Sequence, residues 1–210
     1  MNLLLTLSVG NRPWFNTTKK SMIEYSQKIN CDFMIIDKPH LNPRNLKCEI
    51  YDLLDRYDRI IYLDDTCIIT QSCPNLFDIV PENNFGVFCE PRSLISVYQI
   101  LDEGFKYYKI NKCNDNLFFN SGVMVISKIH KEIFKPVEMK NICGFYDQVY
   151  FNCKRCELNI PIYNLTNRFN YMIPFKNNVK LVNNVYIYHI TRGQECRSTV
   201  IQMLNKLLNY

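Results

Sequence analysis

Short apolar runs alternate along this chain with stretches whose apolar residues recur every three or four positions. NLLLTLSVG (2–10) is an almost unbroken apolar run closed by glycine and predicts a buried strand. In TTKKSMIEYSQKIN (17–30), Met22, Ile23, Tyr25 and Ile29 fall near one face of a helix, and CDFMIID (31–37) follows as a second strand. KCEIYDLLDRY (47–57) carries Ile50, Leu53, Leu54 and Tyr57 at helical spacing and leads into the strand RIIYL (59–63). NNFGVFCE (83–90) predicts a strand and SLISVYQILDEGF (93–105) a helix. LFFNSGVMVIS (117–127) predicts a strand interrupted by NSG, and YDQVYFNCKR (146–155) a helix. VYIYHI (185–190) reads as a late strand and STVIQMLNKLLNY (198–210) as a closing helix, with Ser198 at its N-cap. Strands alternating with helices imply an α/β fold, a mostly parallel sheet flanked by helices. No linker rich in Pro, Gly or Ser and no repeat divides the 210 residues, so a single domain is expected.

Composition narrows the classes of partner. A hydrophobic fraction of 47% supports a sizeable core, and a formal charge of +5 suits an anionic ligand. The longest basic run, Lys19-Lys20, is too thin for nucleic acid, which is not expected as a partner. No stretch approaches the ~20 apolar residues of a membrane span. The opening MNLLLTLSVG lacks a basic leader region and a small-residue cleavage site, so it reads as a first strand, and a cytoplasmic location is expected. In that setting the ten cysteines read as reduced thiols. Cys153-x-x-Cys156, with Cys143 nearby, is half a zinc site without a second ligand pair. Alanine is absent while Asn, Ile, Lys and Tyr abound, the mark of an AT-rich genome such as that of a large DNA virus. For a viral protein the location becomes host cytoplasm or virion.

The candidate chemistry centres on DRIIYLDDTCII (58–69), in which Asp64 and Asp65 close an apolar strand. An unpaired carboxylate inside a core strand is too costly to keep charged. At the carboxyl end of a strand in an open α/β sheet, however, it lies where ligands bind. Mg²⁺ and Mn²⁺ take one or two carboxylates together with substrate phosphates, so the pair suits a metal-bridged diphosphate. DDT also fits a turn whose side chains cap backbone N–H groups.

Further segments arrive in a recognisable order: KCEIYDLLDRYDRIIYLDD (47–65), FFNSGVMVIS (118–127), YDQVYFN (146–152), IPIYNL (160–165) and YHITRGQ (188–194). Together they resemble glycosyltransferase family 8, the glycogenin-like enzymes, with their LDADT metal motif, FN-small-GVMV strand, D-Q-x-x-x-N helix and late His-Gly-Lys segment. The resemblance implies a GT-A type fold with a nucleotide-binding half over about 1–90 and a sugar and acceptor half over about 91–197, closed by the helix 198–210. It implies a UDP-sugar donor, a protein or glycan acceptor, a Mn²⁺ (or Mg²⁺) cofactor and hexosyl transfer with retention of configuration. A homodimer is a further partner to test.

Residue by residue, the resemblance makes Asp64, Asp65 and His189 the metal ligands. It puts Thr66 where the family has its second motif acid. Lys47 faces the donor phosphates, and Asn120, Ser121 and Gly122 lie under the sugar. Asp147 and Gln148 stand at the reacting carbon. Thr6, Ser8, Asn11 and Arg12 contact the nucleoside. Gly193 matches the late glycine, and Arg192 or Arg197 replaces the lysine that holds the leaving diphosphate. Two other readings remain open: a phosphatase with Asp64 as nucleophile, which leaves the later motifs unexplained, and a catalytically weak or inactive nucleotide-sugar binder.

Overall fold

Apolar alternation sets the layers. Leu3, Leu5, Leu7, Ile60, Tyr62, Met124 and Ile126 pack into one core, and the residues between them (Leu4, Ile61, Leu63, Val123 and Val125) pack into a second on the opposite face. The computed structural model describes residues 1–210 except 39, 42, 113–116, 174–181, 192–199, 203 and 207–210, and except the side chains of Pro43, Arg44 and Leu94. Its elements begin with β1 (Asn2–Leu7), α1 (Phe15–Lys28), β2 (Asp32–Ile36), α2 (Ile50–Leu53), β3 (Arg59–Asp64), β4 (Cys67–Ile69), α3 (Leu76–Ile79) and β5 (Phe85–Cys89). They continue with α4 (Leu94–Tyr108), β6 (Phe119–Ser127), α5 (Asp147–Glu157), β7 (Ile162–Asn164), β8 (Tyr171–Met172) and β9 (Ile187–His189).

The main sheet has the order β2-β1-β3-β6-β5-β7; β6 runs antiparallel to β3 and β5, and the other pairings are parallel. The expected mostly parallel α/β sheet is therefore present. Met22 and Tyr25 of α1 pack on one face, and Tyr150 and Phe151 of α5 on the other. α4 starts where Ser93 Oγ accepts the Ser96 N–H (3.3 Å) and stops at Lys109, whose φ of 56° breaks the helix. It runs three residues past the expected end at 105.

Three elements depart from the sequence reading. The helix expected over 47–57 is only the single turn of α2, preceded by a 3-10 helix at Pro43–Glu49. The same apolar spacing buries Ile50, Leu53 and Leu54 in either helix type. The NSG break appears as a register shift, since Val87 pairs with Met124 but Phe88 pairs with Asn120. β4, β9 and β8 form a separate three-stranded sheet, and the late strand belongs to it. Of the helix expected over 198–210, residues 200–202 and 204–206 are helical and the rest, Ser198 included, lies outside the described residues.

Seven described cysteines (31, 48, 67, 73, 89, 143 and 153) are free thiols, as expected. Cys156, buried on α5, is disulfide-bonded, which corrects the reduced reading there and removes it from any zinc pair. A tertiary pairing of this kind leaves no mark in local sequence spacing.

His130 is buried with Nδ1 accepting the Ser127 N–H (3.0 Å), and burial pushes its imidazole down from 6.5 to about 4. The unfolded chain binds a proton there that the folded chain refuses. Stability is therefore complete above pH 6.5 and declines as pH falls towards 4. Urea midpoints measured across that window should fall, and His130→Gln should flatten part of the slope. An unchanged slope in the variant would remove His130 as a cause.

Candidate functional site

Three of the strands that reach one edge of the main sheet deliver polar groups there. β3 ends on Asp64 and the chain after β5 continues into Glu90. The N-terminal end of β6 brings Asn120, Ser121 and Gly122 to the same edge, because β6 runs antiparallel to its neighbours. α5 opens there with Asp147 and Gln148. These groups line a cleft of about 1120 Å³.

The turn at Asp65 and Thr66 carries the chain from β3 into β4 of the small sheet, where Cys67 pairs with His189. That crossing explains the adjacent acids: one ends the large sheet and the other begins the turn, while the pairing returns His189 to Asp64. His189 Nε2 lies 3.4 Å from Asp64 Oδ2. Asp64 Oδ1 accepts from Tyr62 Oη at 2.7 Å and faces Lys47 Nζ at 3.2 Å.

Lys47 also reaches Asp147 Oδ2 (2.8 Å) and donates to Ser121 O and Oγ (both 3.0 Å). Burial opposes its charge, but Asp147 and Asp64 outweigh that and raise its pKa above the ordinary lysine range. Burial likewise opposes ionisation of Asp64, and Lys47 overrides it, holding the carboxyl well below its usual range. The site thus keeps its charges at neutral pH.

Asp65 has other partners. Its Oδ2 lies 3.4 Å from Arg12 Nε, and its carbonyl accepts from Thr18 Oγ1 at 2.7 Å. Among the described residues no group of three or more His, Cys, Asp or Glu side chains is gathered to hold a metal ion. In the cleft Asp64 and His189 stand together. One carboxylate and one imidazole are donors that a divalent ion such as Mn²⁺ would accept, with its further ligands supplied from outside the protein. The expected third ligand, Asp65, is not brought to them.

The cleft also holds a hydrogen-bonded polar chain. Glu90 Oε1 accepts from Gln148 Nε2 (2.9 Å) and Asn120 Nδ2 (3.2 Å). Its Oε2 accepts from Arg92 Nε at 2.7 Å, and the Arg92 guanidinium lies over the rings of Phe118 (5.4 Å) and Phe145 (5.0 Å). Asn120 Oδ1 accepts from the Gly122 N–H (2.9 Å) and from Asn170 Nδ2 (3.0 Å).

The cleft therefore gathers Arg12, Lys47, Asp64, Asp65, Asn120, Ser121, Gly122, Asp147, Gln148 and His189 of the sequence-predicted residues. It does not gather three others. Thr6 is fully buried because strand alternation puts it on the face of Leu4, and Ser8 is buried as well; Asn11 is exposed and lines no part of the cleft. Arg192, Gly193 and Arg197 lie outside the described residues. Sequence reasoning passed over Tyr62, Glu90, Arg92 and Asn170. Glu90 carried a usable signal, an acid closing an apolar strand as Asp64 does.

By sequence, neither a protein-family model nor a curated protein matches the chain. Solved structures do resemble it. A glycosyltransferase involved in the glycosylation of the major capsid of PBCV-1 superposes with a TM-score of 0.65 at 12% identity, covering 96% of this chain and 99% of that one. The galactosyltransferase LgtC, in complex with donor and acceptor sugar analogues, gives 0.58 at 16% identity, covering 100% and 95%. Mouse xyloside xylosyltransferase 1 gives 0.55 at 14%, covering 90% and 97%. The likeness lies in the fold, which is that of the GT-A glycosyltransferases.

Proposed function

We propose that the chain is a retaining hexosyltransferase that moves a sugar from a UDP-sugar to a hydroxyl of a protein or glycan acceptor, with Mn²⁺ (or Mg²⁺) bound. The observation that carries this reading is the pairing of Asp64 Oδ2 with His189 Nε2, 3.4 Å apart, in a cleft that also holds the Glu90–Gln148–Asn120 chain. The GT-A fold and the family resemblance of the motifs supply the substrate class. Asp64 and His189 would hold the ion, and when bound it supplies electrostatic stabilisation of the departing diphosphate.

The protein's own residues do the rest. Lys47 keeps Asp64 ionised and adds a fixed positive charge beside the leaving group. Asn120, Gln148 and Glu90 present amide and carboxylate groups to sugar hydroxyls. Asp147, in the first turn of α5 and held by Lys47 and Ser121 Oγ (3.0 Å), orients the sugar for attack from the face that the leaving group vacates. A second reading, donor binding without turnover, is favoured by one observation: Asp65 pairs with Arg12 and leaves the ion a single acid.

Titration calorimetry with UDP and a panel of UDP-sugars, with and without Mn²⁺, tests the proposal. UDP should bind, and at least about tenfold more tightly with Mn²⁺, which is ~1.4 kcal/mol. No UDP binding would defeat both readings; tight binding without release of UDP from any UDP-sugar would leave the second.

A further inference from the structure

The hydrogen bonds around His189 determine which of its ring nitrogens carries the proton. The starting point is the Gly122 backbone N–H, which can only donate. It points at Asn120 Oδ1 (2.9 Å), so that end of the Asn120 amide is the oxygen. The opposite end, Nδ2, then faces Glu90 Oε1 at 3.2 Å and Gln148 Oε1 at 3.4 Å, both acceptors. Asn170 meets the same Asn120 oxygen at 3.0 Å and must therefore offer its NH₂ group. That leaves Asn170 Oδ1 against His189 Nδ1 at 2.8 Å, and a carbonyl oxygen can only accept. Turning the Asn170 amide over would set oxygen against oxygen at Asn120, and Asn170 is fully buried.

We propose that Asn170 is a positioning residue that fixes His189 as the Nδ1–H tautomer and so presents the Nε2 lone pair, beside Asp64 Oδ2, to a divalent cation. The inference rests on the metal part of the proposed function. In a neutral ring held this way, Nε2 has no proton to give, yet it faces a carboxylate oxygen at 3.4 Å. Two acceptors confronting each other make a seat for a positive ion. Histidines that ligate metals commonly donate their second N–H to a carbonyl or carboxylate, which aims the ring and raises its basicity. Asn170 fills that role from the end of the 3-10 turn before β8, and through Asn120 it ties the imidazole to the Glu90–Gln148 chain.

The test has two readouts besides turnover. In metal-free protein with ¹⁵N-labelled histidine, at a pH well above the ordinary imidazole range, long-range ¹H–¹⁵N correlations report the tautomer. The protein has three histidines, and His189→Ala identifies the signal. The expected pattern for His189 is Nδ1 protonated and Nε2 bare. Mn²⁺ affinity, followed by the electron paramagnetic resonance of the free ion, should fall about 10–100-fold in Asn170→Leu. The same substitution should change it little in a His189→Ala background.

An Nε2–H tautomer in the wild-type protein overturns the proposal without touching the metal reading, and the tautomer is read without substituting Asn170. Absence of Mn²⁺ binding by the wild-type protein, with UDP present, overturns both. An unchanged affinity in Asn170→Leu, or an equal loss in the two backgrounds, reduces Asn170 to packing and also overturns it.

Discussion

Replacing Asp64 with asparagine should lower release of UDP from the donor by about 10²–10³-fold, the scale on which removing one preorganised charge-stabilising group acts. The substitution keeps the shape and removes the charge. Oδ1 now meets Lys47 and Tyr62, and Oδ2 faces His189, so a neutral amide weakens both sides at once. Lys47 keeps Asp147 at 2.8 Å and remains paired, so the fold should survive. The measurement is UDP release against Mn²⁺ concentration, with a thermal melt as control. Saturation by Mn²⁺ should disappear with activity. A variant within threefold of wild type, still saturating, would take Asp64 out of the mechanism.

Gly122→Ala should give the largest effect of a single methyl. A Cβ built there lies 2.1 Å from His189 Cε1 and 2.8 Å from both ring nitrogens, closer than non-bonded atoms approach. The ring has little freedom to yield, since β9 pairs His189 with Cys67 and Asn170 holds Nδ1. Overpacking of this kind costs about 1–3 kcal/mol, or roughly 2–4 °C in melting temperature per kcal/mol for a chain of this size. Displacement of the imidazole should also abolish the Mn²⁺ response. Adding His189→Gly to Gly122→Ala should restore the melting temperature but not the metal response. A Gly122→Ala protein with wild-type stability and metal titration would mean that the ring does not lie against β6.

How legible this was depended on whether the cause was local. Core strands announce themselves as apolar runs, and β1, β3, β5 and β6 all fall inside the stretches that the pattern marks. The acid that closes one of those runs gave Asp64, while Asn120 and Asp147 came from the resemblance of their motifs. Of the small sheet only β9 was legible, within the late strand at 185–190; β4 and β8, of three and two residues, carry no periodicity and exist only through pairings such as Cys67 with His189. Thr6 and Ser8 were read into the site through the resemblance, whereas alternation on β1 and burial keep them from it. Asn170 left no trace: its role is set by a carbonyl meeting an imidazole from another strand. Asp65 was legible as an acid but not in direction, since only the turn into β4 aims it at Arg12.

β6 has one more consequence. All nine of its residues are buried, yet Ser121 and Gly122 pair with neither neighbouring strand, because β3 leaves at Val123 and β5 resumes at Asn120. A strand clamped at both ends cannot slide to absorb an insertion or a deletion. Sequence drift in descendants of this chain should therefore be lopsided. Side chains around the opening can change and retune which sugar is accepted, while the count of residues between Phe119 and Val123 stays frozen.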